Sequence, residues 1–325
     1  MLDSYNRTID YLRISITDRC NLRCVYCMPE RGVANIEHQN VLTYEEILRI
    51  CRIGAQLGIS KLKITGGEPL LRRGAVEFIS AAKQVPGIRQ VTLTTNGLLL
   101  ADYVNELLQA KVDGINISLD TLDGAAYREI TRWGELNLVQ NSIETAYTHG
   151  IRPIKINCVL IRGVNEQQAV PLAAMAAKRQ ISVRFIEMMP VGLGRQYQAV
   201  SGDEVLQLLA AAYGQPQPCG EKLGNGPAVY YTFPALCGKI GIIDAVSHKF
   251  CASCNRLRLT ADGSLKLCLN YDSGCDLRNL LRGGGNDAMI SHAIATAIAA
   301  KPRQHSFGEA NQLHTEAKNM NAIGG

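Results

Sequence analysis

Residues 11–27 read YLRISITDRCNLRCVYC, an alternating segment followed by three cysteines in eight residues. The alternation of apolar and polar side chains from Tyr11 to Ile16 predicts a strand. Cys20, Cys24 and Cys27 supply three thiols, one fewer than the four ligands of a structural zinc site. Three thiolates can instead hold an iron–sulfur cluster with one iron open to another ligand. A zinc knuckle completed by a distant Cys or His is the alternative.

The composition excludes several classes of protein. The chain has 325 residues, of which 46% are hydrophobic and 19% charged, so it predicts a globular α/β protein of one large domain with an appendage, or of two domains. The net charge of +5 comes without a run of Lys and Arg, which argues against nucleic-acid binding but leaves room for a small anion. Eleven cysteines are too few for a disulfide framework, and no apolar segment is long enough to span a membrane. We therefore expect a cytoplasmic protein without membrane contact.

Strand-like and helical patterns alternate up to about Met189, which predicts parallel βα units. Two capping boxes, at residues 43–46 and 201–204, predict helix starts, and the second helix should end near Tyr213. From residue 214 the sequence is rich in Gly, Pro and Gln, so we predict a linker or surface loop up to Pro227 and divide the chain into residues 1–213 and 214–325. The six predicted strands are residues 11–17, 61–65, 91–96, 115–120, 153–160 and 182–187.

Each of these strands places polar residues on one face and aliphatic residues on the other. A parallel sheet covered on both faces should be apolar on both, so the polar face must line a wet cavity. We predict an incomplete (β/α)6 TIM-type barrel with a polar lumen, unlike the closed barrel with its aliphatic interior. An antiparallel sheet with one solvated face is the alternative.

The polar face carries an excess of cations. Buried cations without matching carboxylates need an anion, and a polyphosphate would suit them. Asp120 and Glu187 could neutralise some of the positive charge. The cations that we expect in the cavity are Arg13, Lys61, Lys63, Lys155 and Arg184.

The segment Thr65-Gly66-Gly67-Glu68-Pro69 follows the second strand, where active sites of such barrels collect. Two glycines allow the backbone to approach a ligand, and Glu68 can accept a hydrogen bond from an ammonium group. An ordinary strand-to-helix turn is the alternative for this segment alone.

The spacing Cys20-x3-Cys24-x2-Cys27, together with the Gly-Gly-Glu-Pro segment, resembles the radical S-adenosylmethionine superfamily. The resemblance implies a 4Fe-4S cluster on the three thiolates, whose free iron binds the amino and carboxylate groups of S-adenosylmethionine. It also implies that five further residues contact this cofactor: Tyr26, Gly67, Glu68, Ser118 and Met189.

A second set of three thiols, Cys251, Cys254 and Cys268, lies near the end of the chain. With Thr94-Thr95-Asn96-Gly97, residues 184–187 and the terminal Ile-Gly-Gly, it resembles the GTP 3′,8-cyclase family of molybdenum cofactor biosynthesis. The resemblance spans nearly the whole chain. It implies a second 4Fe-4S cluster on a C-terminal extension that closes the other mouth of the barrel.

The reaction implied by this resemblance is a radical rearrangement of GTP, in which hydrogen leaves ribose C3′ and that carbon closes onto guanine C8. The expected partners are GTP, an electron donor and the downstream cyclic pyranopterin monophosphate synthase, and the chain should be a monomer or homodimer. The family usually has Arg where Lys63 stands. The implied catalytic residues are Cys20, Cys24, Cys27, Arg256 and Arg258. The implied substrate-binding residues are Arg13, Lys61, Lys63, Thr94, Lys155, Arg184, Arg256, Leu257 and Arg258.

Two other functions fit parts of the sequence. One is a radical peptide-modifying maturase with one auxiliary cluster, and the other is a non-enzymatic zinc scaffold. Cys51 is expected in the core, and four other thiols match no cluster position, although Cys275 lies near enough to Cys268 to replace it as a ligand. Residues 301–319 would ordinarily be a frayed end, whereas in the family the final diglycine, Gly324 and Gly325, enters the active site. The four unmatched thiols are Cys158, Cys219, Cys237 and Cys275.

Overall fold

Six parallel strands follow one another in chain order at the centre of the sheet. Each pairs in parallel with the next, so the predicted βα units are confirmed and the antiparallel alternative is wrong. The structure, a computed structural model, describes residues 1–220, 223–309 and 315–324. The strands are β1 Tyr11–Ser15, β2 Lys61–Thr65, β3 Gln90–Thr95, β4 Ile115–Ser118, β5 Ile154–Leu160 and β6 Ser182–Glu187.

Helices connect these strands, and both predicted capping boxes are confirmed. The Thr43 side chain accepts a hydrogen bond from the backbone N–H of Glu46, and the Glu46 carboxylate accepts one from the backbone N–H of Thr43. Ser201 and Glu204 form the same pair of hydrogen bonds at the start of the second helix. No helix in the described ranges is long and apolar enough to cross a membrane. The helices are α1 Tyr44–Gln56, α2 Ala75–Lys83, α3 Val104–Gln109, α4 Gly124–Thr131, α5 Leu136–Thr148, α6 Ala169–Ala173, α7 Gly202–Tyr213, α8 Leu277–Arg282 and α9 Asp287–Ala299.

The C-terminal residues extend the sheet at both edges. The added strands are β7 Gln217–Pro218, β8 Val229–Thr232, β9 Ile240–Ile243, β10 Arg256–Leu259, β11 Ser264–Lys266 and β12 Gly274–Asp276. Strand β9 pairs in parallel with β6, and β10 pairs in parallel with β1. Antiparallel strands continue outward on each side, which gives the order β12-β11-β10-β1-β2-β3-β4-β5-β6-β9-β8-β7.

The two faces of the central strands differ as their alternation predicts. Aliphatic side chains such as Ile14, Ile64 and Leu93 belong to the main hydrophobic core, where Cys51 also lies, as expected. The opposite face is polar but equally inaccessible, since Lys63 and Arg184 are only 7% and 6% exposed. A buried polar face predicts a binding cavity rather than a solvated surface.

Candidate active site

The polar face of the strands lines a cavity of about 310 Å³. Strand pairing sets Arg13 of β1 beside Lys63 of β2 on one side and beside Arg258 of β10 on the other. Asp113 is the single Asp or Glu among the described lining residues, and its carboxylate already binds Lys83. The cavity is therefore strongly cationic. Its seven Lys and Arg residues are Arg13, Lys63, Lys155, Arg184, Arg256, Arg258 and Lys301.

These cations destabilise one another's charged forms. Burial lowers the pKa of Lys63 well below its usual value, and Arg184, Arg13 and Lys155 lower it further. Burial and Arg184 lower the pKa of Lys155 to about 8. A bound anion would offset both effects because it stabilises the protonated ammonium groups. The electrostatics of the cavity thus favour a ligand with several negative charges.

Lys61 does not line the cavity, contrary to expectation. Its ammonium group lies 2.6 Å from an Asp10 carboxylate oxygen, which holds it at the start of β2. The Leu257 side chain is buried in the apolar core, so only its backbone could contact a substrate. Thr94 also lies outside the lining and accepts a hydrogen bond from Asn116 at 3.3 Å.

The two acids considered as neutralising groups are engaged elsewhere. Asp120 accepts from the Tyr26 hydroxyl at 2.7 Å and from the Val159 backbone N–H at 2.8 Å. Glu187 accepts from the backbone N–H groups of Val246 and Ser247. Neither carboxylate lines the cavity, so the positive charge is not reduced by them.

The first thiol triplet, Cys20, Cys24 and Cys27, lies in the loop after β1. Burial raises the pKa of Cys20 to about 11 and that of Cys27 to about 12. Backbone N–H groups nevertheless point at the sulfurs: Leu22 donates to Cys20 at 3.4 Å, and Asn321 donates to Cys27. Such hydrogen bonds are typical of cluster thiolates, and iron would supply the positive charge that deprotonation needs. The triplet therefore fits an iron–sulfur cluster.

The loop after β2 packs directly against the segment that leads into this triplet. The backbone N–H of Gly67 donates to the Thr17 carbonyl at 2.7 Å, and that of Glu68 to Arg19 at 2.8 Å. A Cβ atom on Gly67 would lie 2.3 Å from the Arg19 oxygen, so only glycine fits.

Glu68 joins this loop to the end of β3. Its fully buried carboxylate accepts from the Thr95 hydroxyl and the Asn96 backbone N–H, and burial raises its pKa to about 7. These bonds hold the ends of β2 and β3 together beside Cys20, to which Asn96 also donates at 3.9 Å. Ser118, another expected cofactor contact, lies at the end of β4.

The second thiol triplet, Cys251, Cys254 and Cys268, lines the cavity itself. Burial raises the pKa of Cys254, but Arg256 and Lys301 outweigh burial and lower it to about 7. Cys251 accepts from the His305 backbone N–H. Burial raises the pKa of Cys251, so within this triplet it is at Cys254 that the thiolate form is favoured before any metal binds.

Cys275 does not replace Cys268 in this triplet. It lies on β12 and packs against the hydrophobic core, outside the cavity lining. Across the described ranges, neither triplet nor any other group of three His, Cys, Asp or Glu side chains is arranged to hold a single metal ion.

Two further segments enter the cavity region. Residues 223–227, within the predicted linker, line the cavity, and the Leu223 carbonyl accepts from Lys155 at 3.0 Å. The Gly224 carbon is close enough to this ammonium group that a Cβ atom would lie 2.4 Å from it. The sequence Gly224-Asn225-Gly226 is the feature from which such a close approach of the backbone could have been predicted.

The C-terminal tail also reaches the cavity. The Gly324 carbonyl accepts from Arg13 at 2.7 Å and from Arg258 at 2.8 Å. Gly325 lies outside the described residues. Met189 lines the cavity and packs against the apolar patch that contains Ile323. The tail segment from residue 315 is therefore docked on the site, and not frayed.

The fold and the first thiol triplet together define the radical S-adenosylmethionine class of enzymes. Residues 14–176 match the Radical SAM superfamily, and residues 181–307 match Molybdenum Cofactor Synthesis C. The fold is similar to that of Streptococcus suis SuiB bound to precursor peptide SuiA, with a TM-score of 0.62 and 15% identity, covering 92% of this chain and 72% of that one. SuiB bound to S-adenosylmethionine gives a TM-score of 0.58 at 16% identity, covering 88% and 67%.

Full-length relatives identify the family within this class. The chain is 44% identical to the GTP 3′,8-cyclase of Pelotomaculum thermopropionicum, with 100% of both chains covered. It is 44% identical to that of Heliobacterium modesticaldum over 94% of each chain, and 41% identical to that of Geobacter sulfurreducens over 100% of this chain and 99% of the relative. The chain belongs to the GTP 3′,8-cyclase family of radical S-adenosylmethionine enzymes.

Proposed function

We propose that the chain converts GTP to 3′,8-cyclo-7,8-dihydro-GTP, the first step of molybdenum cofactor biosynthesis. The observation that carries this proposal is the cationic cavity with a thiol triplet in its wall. Seven Lys and Arg side chains line it beside Cys251, Cys254 and Cys268, with a single paired carboxylate among the described lining residues. A nucleoside triphosphate supplies the matching negative charge, and its base provides an edge for an open iron.

The first thiol triplet holds the cluster that acts with S-adenosylmethionine. When bound, these groups supply a 5′-deoxyadenosyl radical that removes hydrogen from ribose C3′ of GTP. The protein orients the reactants and excludes water. We assign the cofactor contacts to Tyr26, Gly67, Glu68, Ser118 and Met189.

The substrate is held by two groups of side chains. Arg13, Lys63, Lys155 and Arg184 bind the triphosphate, since they form one mutually interacting set of cations. Arg256 and Arg258 orient the guanine end beside a second 4Fe-4S cluster on Cys251, Cys254 and Cys268. Thr94, Lys61 and the backbone of Leu257 remain weaker candidates because none of them lines the cavity.

We infer that β1–β6 curve into an incomplete barrel whose mouth is closed by residues 214–325. Five strand spacings would separate β1 from β6 by about 24 Å in a flat sheet. Arg184 of β6 nevertheless contributes to lowering the pKa of Arg13 on β1, after burial and Arg256. The strong curvature that this requires supports a barrel, and the second triplet supports closure from the C-terminal side.

The reaction also needs an electron donor, and its product is the substrate of the cyclic pyranopterin monophosphate synthase. Both partners, and a monomeric or homodimeric state, belong to the proposal.

GTP deuterated at C3′ tests the function directly. We expect deuterium in 5′-deoxyadenosine, and binding of ATP weaker by about a hundredfold, because a site built around the guanine edge leaves polar groups unpaired with adenine. Deuterium retained in the nucleotide product, or a peptide acting as hydrogen donor while GTP fails to bind, would instead indicate a maturase.

Metal analysis of anaerobically purified protein tests the cofactor assignment. Two filled triplets predict about eight irons per chain with labile sulfide. Stoichiometric zinc without sulfide would contradict the enzyme assignment and support the zinc scaffold.

A further inference from the structure

A buried amide without hydrogen-bond partners lies near the end of the chain. Asn321, in the short turn Met320–Ile323, is only 2% exposed. Neither the Nδ2 nor the Oδ1 atom of its side chain has a hydrogen-bond partner among the residues that the structure describes. Buried polar atoms nearly always have partners, so an amide with both ends unmatched indicates a missing ligand.

The position of Asn321 narrows the identity of that ligand. Its backbone N–H donates to the sulfur of Cys27 in the first triplet. Two residues later, Ile323 packs with Val191 and Phe307 beside Met189. Asn321 therefore lies between the first triplet and an apolar patch whose members Met189 and Phe307 line the substrate cavity.

Contacts elsewhere in the tail explain why the amide stays buried. The Glu316 carboxylate pairs with Lys266 in a buried ion pair, and the Glu316 carbonyl accepts from Arg195 at 2.9 Å. The Gly324 carbonyl is held by two arginines. Docking on both sides of Asn321 thus fixes the position of its backbone, as expected for a residue that presents a preorganised binding group.

A carboxamide offers one acceptor and two donor hydrogens at a single point. S-adenosylmethionine presents donors and acceptors in both its amino-acid end and its ribose. The bond from Asn321 to Cys27 places this residue on the cofactor side of the site. We propose that the Asn321 carboxamide hydrogen-bonds S-adenosylmethionine beside Cys27, so that cofactor binding and tail docking favour each other; this rests on the proposed function. The coupling is reciprocal because both events share one contact.

The test uses full-length, cluster-loaded protein carrying Asn321→Leu, which keeps the side-chain volume and removes the amide. We expect the dissociation constant of S-adenosylmethionine, measured by equilibrium dialysis, to rise about tenfold or more. Iron content and the affinity for GTP alone should match the wild type. The melting temperature without S-adenosylmethionine should be equal or higher, because two unmatched buried atoms are removed.

Asn319→Leu is the matched control, since it removes an amide two residues earlier on the same tail and should leave the affinity unchanged. If Asn321→Leu does not load iron, Asn321→Ala provides the same measurement with less steric change. Unchanged cofactor affinity would overturn the inference, as would a lower melting temperature with normal affinity, or a loss of GTP affinity alone. Failure of the wild type to bind S-adenosylmethionine would instead contradict the proposed function.

Discussion

The two thiol triplets differ in the surroundings of one cysteine each, Cys24 in the first and Cys254 in the second. In the first, burial and the neighbouring Cys27 and Asp120 raise the pKa of Cys24 well above its usual value. In the second, Arg256 and Lys301 overcome burial and lower the pKa of Cys254 to about 7. Both triplets have the same number of ligands, so the difference lies in their neighbours. The first depends on metal for its charge, whereas the second shares its cations with the substrate cavity.

Replacing one cysteine in each triplet should separate their roles most strongly. We expect Cys24→Ala to abolish cleavage of S-adenosylmethionine, because it removes a ligand of the cofactor cluster. Cys268→Ala should abolish the cyclic nucleotide product while part of the cleavage continues uncoupled. Chromatographic measurement of 5′-deoxyadenosine and nucleotide product gives both quantities. Equal loss of cleavage in the two variants would refute this division.

Removal of Gly324 and Gly325 should have the next largest effect, because the tail connects the two regions. Arg13 and Arg258 lose the carbonyl that they share. We expect product formation to fall by about a hundredfold, since small errors in positioning are that costly. Iron content and circular dichroism should match the wild type. Ala317→Ser, on an exposed part of the same tail, is the control; full activity of the truncated protein would show that the diglycine is dispensable.

A weaker perturbation of the tail comes from its ion pairs. Glu316→Ala leaves the Lys266 ammonium group buried without its carboxylate, which typically costs about 3–5 kcal/mol. We expect the tail to undock more often and to be cut faster in limited proteolysis. Lys318→Ala removes the more exposed pair with Asp262 and should change the cutting rate little. Equal rates in the two variants would mean that the buried pair does not hold the tail.

The smallest expected effect is a pH dependence of substrate binding. Lys155 has a pKa of about 8 in the empty cavity, and a triphosphate requires its protonated form. The affinity for GTP should therefore fall as pH rises above 8, by up to about tenfold per pH unit. Arginine stays charged in this pH range, so Lys155→Arg should remove the loss of GTP affinity that Lys155 causes above pH 8. Lys61→Arg, at a position paired with Asp10 outside the cavity, should retain this loss. Titration calorimetry from pH 7 to 9 provides the comparison, and the same slope in Lys155→Arg and wild type would exclude Lys155 as its source.

Local sequence determined much of the fold and the first triplet. The six strands lie within a few residues of their predicted positions, since period-two alternation is a property of neighbouring side chains. Both capping boxes formed because each needs only four residues. The same alternation correctly placed Arg13, Lys63, Lys155 and Arg184 in one cavity. The first triplet could be recognised because its three cysteines fall within eight residues of sequence, Cys20 to Cys27.

Tertiary structure decided the features that depend on residues far apart in the chain. Lys61 lies outside the cavity because it pairs with Asp10, 51 positions away. The Leu257 side chain faces the core because of the register in which β10 pairs with β1. Contact with Lys155 brought the predicted linker into the cavity wall. The docking of the tail buried Asn321 and set Gly324 against two arginines. Periodicity and spacing report only on near neighbours, whereas these contacts form only when distant segments pack together.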